Sequence, residues 1–97
     1  MNIYDIPDYD KREEYTEVLK EFDSGKIERI ISEGQTTDWM IQDENEYVIL
    51  IKGEAEIEYE NRKLRLKEGD TVFIPEGEKH RVSYTSSGCL WICIFFS

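Results

Sequence analysis

Positive charge is in short supply in this sequence: 12 Lys and Arg stand against 22 Asp and Glu, for a formal net charge of -10. A field of that sign repels phosphate backbones and anionic lipid, so no nucleic acid and no membrane surface is expected as a partner. No apolar run approaches the roughly 20 residues of a membrane-crossing helix. The opening stretch, Met1 to Asp10, lacks the basic-then-apolar order of a secretory signal, which makes a cytoplasmic location the expectation. Cysteine is confined to Cys89 and Cys93, four positions apart in what reads as one strand. Extended geometry holds their Cα atoms roughly 13 Å apart, too far for a disulfide, so both are expected as buried thiols acting as small hydrophobes. Histidine occurs once, at His80.

What is present suffices for one domain with one hydrophobic core, since 97 residues carry 39% apolar side chains. Tyr15, Val18, Leu19 and Phe22 recur at helical spacing among Glu13, Glu14, Glu17, Lys20 and Glu21. That spacing predicts a short amphipathic helix ending at Ser24-Gly25, within an N-terminal segment spanning 1–25. From Lys26 onward the pattern is one of strands, expected at 27–32, 39–42, 46–52, 55–60, 63–67, 71–74, 80–85 and 89–96. Gly, Pro, Asn, Asp or Ser punctuate most of the gaps, so 26–97 reads as an all-β barrel or sandwich.

The middle hairpin can be read residue by residue. Residues 54–60 alternate between glutamates and less polar positions, which marks a half-buried strand. A turn at Asn61-Arg62 would set Glu60 against Lys63, Glu58 against Arg65 and Glu56 against Lys67, with Tyr59 and Ile57 meeting Leu64 and Leu66 on the other face. The glutamate row is thus a solvated charge ladder rather than a metal or acid-base site. By contrast, 47–51 and 90–96 are apolar on both faces and must be covered twice, by the core on one side and by the N-terminal helix or a second subunit on the other.

Two segments stand apart. In the first, Gly34 is followed by Met40, Gln42, Glu46 and Gly53, and strand parity places Met40, Gln42, Glu46, Val48 and Leu50 on one face. A carboxylate among inward apolar residues has to be paired, hydrogen-bonded, protonated or metal-bound. In the second, the chain turns at Gly69, runs a strand to Pro75, turns at Gly77 and re-enters a strand at His80. Parity places Val82 and Tyr84 on the side of His80, so the imidazole points inward if Val82 is core.

These segments resemble the paired motifs of the cupin superfamily. In the first motif a glycine precedes a His-x-His pair by six positions, and a glutamate and a second glycine follow. Gly34, Glu46 and Gly53 hold the expected spacing, with Met40 and Gln42 where the histidines would stand. The second motif is matched by Gly69, Pro75, Gly77 and His80, with Tyr84 at its asparagine position. The resemblance covers roughly Ile27 to Phe96 and implies a double-stranded β-helix, or jelly-roll, barrel. It also implies a divalent metal, Zn, Ni, Mn or Fe, held by three histidines and a glutamate. Of these ligands only His80 and Glu46 remain; Gln42 offers a weak amide oxygen, and a Met40 thioether suits softer ions.

Two functions follow. One is a binding barrel that receives a small polar molecule at a mouth lined by Trp39, Met40, Gln42, Glu46, His80 and Tyr84, with Trp39 or Trp91 stacking on it. The other is an enzyme of isomerase, epimerase or dioxygenase type in which His80 and Glu46 act as acid and base or hold a metal. The doubly apolar strands, and the pairing habit of cupins, make a homodimer the expected assembly.

Overall fold

β-Branched and aromatic residues dominate the apolar runs, and such side chains fit a pleated, half-buried surface better than a helix. The computed structural model, which describes residues 1–97, arranges them as eight strands: β1 Tyr15–Phe22, β2 Gly25–Ser32, β3 Asn45–Lys52, β4 Glu54–Tyr59, β5 Lys63–Lys67, β6 Thr71–Ile74, β7 His80–Thr85 and β8 Cys89–Phe96. They form two antiparallel sheets, ordered β1-β2-β8-β3-β6 and β5-β4-β7. The last strand lies between β2 and β3, and β7 lies beside β4, so the chain folds over itself as a jelly roll. Inward side chains of β3 and β8, among them Val48, Leu50, Trp91 and Cys93, pack against Ile57 and Tyr59 of β4.

The predicted N-terminal helix is not formed. Tyr15–Phe22 is β1, paired with β2 from Tyr15 opposite Ile31 to Phe22 opposite Gly25. A helix there would leave the edge of β2 unpaired, whereas a strand satisfies both backbones. The burial of β1 has period two, with Tyr15, Glu17 and Leu19 half-buried and Val18 and Phe22 exposed. The apparent helical spacing therefore combined residues from both faces of a bulged strand. Gly25 marks a close approach rather than a helix end: a Cβ there would lie 1.8 Å from the Phe95 carbonyl oxygen.

Two other expectations shift. Residues 39–42 form no full strand; the segment follows β7 through an isolated bridge in which Met40 and His80 exchange N–H···O bonds of 2.8 and 3.0 Å. In the β4–β5 hairpin the turn residues are Glu60-Asn61, since Tyr59 N–H donates to the Arg62 carbonyl. Glu58 therefore faces Lys63 and Glu56 faces Arg65, a slip of two positions from the expected register. Two is one full pleat period, so every side chain keeps its face. The charge ladder survives with Arg65 between Glu54 and Glu56.

With no helix, the outer face of the larger sheet is covered only at one end. Arg29, 3% exposed, donates to the carbonyls of Ile3 and Asp5 at 3.1 and 2.9 Å and pairs with Glu17, which folds the N-terminus over that corner. Phe22, Tyr47 and Phe73 remain exposed on the rest of the face.

Candidate functional site

The site is positioned by elements that arrive from both sheets. Glu46 lies on β3 opposite Ile74 and Phe95, and the alternation that buries Val48 and Leu50 turns its carboxyl into the barrel. His80 opens β7, where pairing with Tyr59 on one side and Met40 on the other fixes its inward direction. Between them lies a cavity of about 120 Å³ whose polar lining consists of Glu14, Thr37, Gln42, Glu46 and His80. Apolar walls come from Met40, Trp91, Cys93 and Phe95, together with aliphatic side chains of β2, β3, β4, β6 and β7.

Glu46 is 7% exposed, and no Lys, Arg or His nitrogen lies within 4.0 Å of its carboxyl. Burial pushes its pKa up, while the Cys93 thiol, His80 and the Gln42 amide pull it back in part. The absence of a cationic partner is unusual for a buried carboxyl and is what singles the residue out. His80, 3% exposed, makes no direct bond to Glu46. Its Nδ1 lies 2.9 Å from the Glu78 carbonyl oxygen. That oxygen only accepts, so Nδ1 carries a proton, and Nε2 is left without a protein partner.

Gln42 adds a second unsatisfied acceptor. Its Nε2 points to the Met40 sulfur at 3.7 Å, and its buried Oε1 has no hydrogen-bond partner. The Trp91 wall is fixed by a relay in which Nε1–H donates to Ser32 Oγ at 3.2 Å and Ser32 donates to Glu14 at 2.8 Å. Burial raises the Cys93 thiol well above its ordinary pKa and the Cys89 thiol to about 12, so both remain protonated. No disulfide links them.

Of the six residues expected at the barrel mouth, the fold brings Met40, Gln42, Glu46 and His80 together and leaves Trp39 and Tyr84 outside. Trp39 precedes the inward Met40 and faces out, with the guanidinium of Arg81 5.0 Å from its ring centre. Tyr84 is turned away by a bulge: Val82 pairs with Ile57 and Tyr84 with the adjacent Glu56, which leaves Ser83 as an extra residue. The bulge inverts parity beyond Val82, so Thr85 is buried and Tyr84 lies exposed under Arg65. Sequence reasoning missed Cys93 and Glu14 as lining residues. The alternation of Trp91, Cys93 and Phe95 signals the first, and nothing local signals the second.

The donor set does not assemble a transition-metal centre. Nowhere do three His, Cys, Asp or Glu side chains converge as a metal site would require, and Met40 and Gln42 occupy the positions where cupins place histidines.

The profile of the cupin domain matches residues 27–95. A protein of Ralstonia eutropha JMP134, provisionally designated a mannose-6-phosphate isomerase, is 28% identical and superposes over 100% of this chain and 96% of its own with a TM-score of 0.93. A cupin superfamily protein of Desulfitobacterium hafniense DCB-2 shares 15% identity over 93% of this chain and 83% of its own, TM-score 0.82. An RmlC-like cupin of Desulfovibrio desulfuricans likewise shares 15% identity, over 99% and 93% of the two chains, TM-score 0.84. No curated protein sequence matches. With the two sheets, the Glu46 and His80 positions and the family profile in agreement over most of its length, this chain belongs to the cupin domain family.

Proposed function

We propose that this chain is a small-molecule-binding cupin whose ligand occupies the cavity between Glu46 and His80. The observation that carries the reading is a pair of buried side chains presented by different sheets to one cavity: a carboxyl with no Lys, Arg or His nitrogen within 4.0 Å and an imidazole whose Nε2 has no protein partner. Beside them Gln42 Oε1 is buried without a partner, which costs stability that a ligand satisfying it recovers. The test is ligand-induced stabilisation. A bound molecule should raise the melting temperature of the wild-type protein, and His80→Ala, with its fold intact by circular dichroism, should lose that increment. An increment that survives His80→Ala would place the ligand elsewhere.

A second reading is an enzyme of isomerase, epimerase or dioxygenase type, supported by the free Nε2 of His80 and by the designation of the Ralstonia eutropha relative. In that reading Glu46, His80 and Gln42 would hold Zn, Ni, Mn or Fe with two strong donors only, which favours the binding reading. Elemental analysis of protein purified without an affinity-metal column separates the two.

We further propose a cytoplasmic homodimer. Its support is the uncovered outer face of the larger sheet, where Phe22, Tyr47 and Phe73 are exposed, and the two unpaired thiols. Light scattering on the wild type and on Phe73→Glu tests it: dimer mass for the first and monomer for the second is the expected result.

A further inference from the structure

The cavity is chemically one-sided. Its polar lining includes two carboxyls, Glu46 at depth and Glu14 on the Trp91–Ser32 relay, and no Lys or Arg. The buried acceptor without a partner, Gln42 Oε1, also calls for a hydrogen-bond donor from the ligand. Glu28, 8% exposed, pairs across strands with Cys93 and adds a third carboxyl behind the wall; its own cation, Lys26, does not line the cavity.

From this arrangement we propose, on the basis of the small-molecule reading above, that the cavity selects a small organic ammonium ion, held by Glu46 with an N–H group directed to Gln42 Oε1, and rejects phosphorylated sugars. Size sets the scale. A cavity of about 150 Å³ accommodates benzene, so one of about 120 Å³ takes roughly five to six non-hydrogen atoms, well short of a hexose phosphate. Charge sets the sign. A phosphate would meet no Lys or Arg in the cavity and a net charge of -10 around it, whereas an ammonium supplies the close counter-charge that Glu46 lacks. The apolar hydrocarbon of such a ligand would lie against Met40 and the Trp91 and Phe95 rings. The upward pull of burial on the Glu46 carboxyl agrees with a site that awaits a cation.

The experiment compares cyclopentylammonium, cyclopentanol and mannose 6-phosphate by titration calorimetry at low ionic strength, on wild type and on Glu46→Gln. The ammonium is expected to bind about tenfold or more tighter than the isosteric alcohol, as a charge-assisted contact requires. The preference should fall to within about twofold in Glu46→Gln, which changes one atom and leaves the cavity its shape. Mannose 6-phosphate should show no heat. Should Glu46→Gln fail to fold, wild type titrated at falling pH serves instead: the preference must disappear as the Glu46 carboxyl protonates. Alcohol binding as tight as the ammonium overturns the charge selection and leaves the binding cavity standing. Sugar-phosphate binding overturns both the size and the charge argument. If no probe binds, the cavity reading itself fails.

Discussion

Gln42→Leu is the substitution for which binding and stability should move in opposite directions. The Gln42 side chain holds Oε1 buried without a partner and spends its Nε2 on a long contact to the Met40 sulfur. An unsatisfied buried acceptor costs about 1–3 kcal/mol, and the N–H···S contact with the support it lends Glu46 returns about 0.5–1 kcal/mol. Leucine has nearly the same volume and no polar atoms, so the net expectation is a gain of about 1 kcal/mol. For 97 residues the unfolding entropy is about 0.2 kcal/mol per kelvin, which converts the gain into a rise of about 5 °C in Tm. Paired thermal and urea melts measure it, with an unchanged m-value confirming that compactness is preserved. The same variant should lose ligand-induced stabilisation. A variant less stable than wild type would refute the reasoning, because Gln42 would then be a satisfied structural residue rather than one kept for a ligand.

Three further outcomes follow from the same physics. The Glu46 pKa is raised by burial from about 4.5, so the folded protein binds the extra proton, and the associated stability is complete below that value and is lost as pH rises through the folded pKa. Glu46→Gln should flatten that part of a stability profile recorded from pH 4 upward; an unchanged slope would show that another group titrates. Cys89 and Cys93, buried and with thiol pKa values raised, should resist iodoacetamide at pH 8 in the native protein and react fully in denaturant. Rapid native labelling of either would contradict their placement. Gly25→Ala drives a Cβ to within 1.8 Å of the Phe95 carbonyl oxygen and should cost more than about 2 kcal/mol by urea denaturation, whereas Gly69→Ala meets no atom and pays only for its positive φ.

The sequence made legible whatever depends on parity and little that depends on counting. Glu46 was placed in the interior because Val48 and Leu50 share its face, and that holds wherever the strand starts. The β4–β5 hairpin shows the same robustness: a slip of two positions changed each charge pair and left both faces intact. Tyr84 failed for the complementary reason, since one inserted residue at Ser83 inverts the alternation and no local signal marks a bulge formed in answer to the partner strand. Segment 15–22 was misread because its apolar residues suit either period, and the open edge of β2 settled the choice. Glu14 joins the cavity only through a hydrogen bond to Ser32, a contact across 18 positions that no spacing rule anticipates.

The central claim, that a ligand sits between Glu46 and His80, is tested most directly by the two indole N–H resonances. Trp91 lines the cavity and donates to Ser32, whereas Trp39 lies outside against Arg81. In a nitrogen-15 titration with cyclopentylammonium, the Trp91 resonance should shift saturably while that of Trp39 stays in place. A shift of Trp39 alone, or of neither indole, would contradict the account.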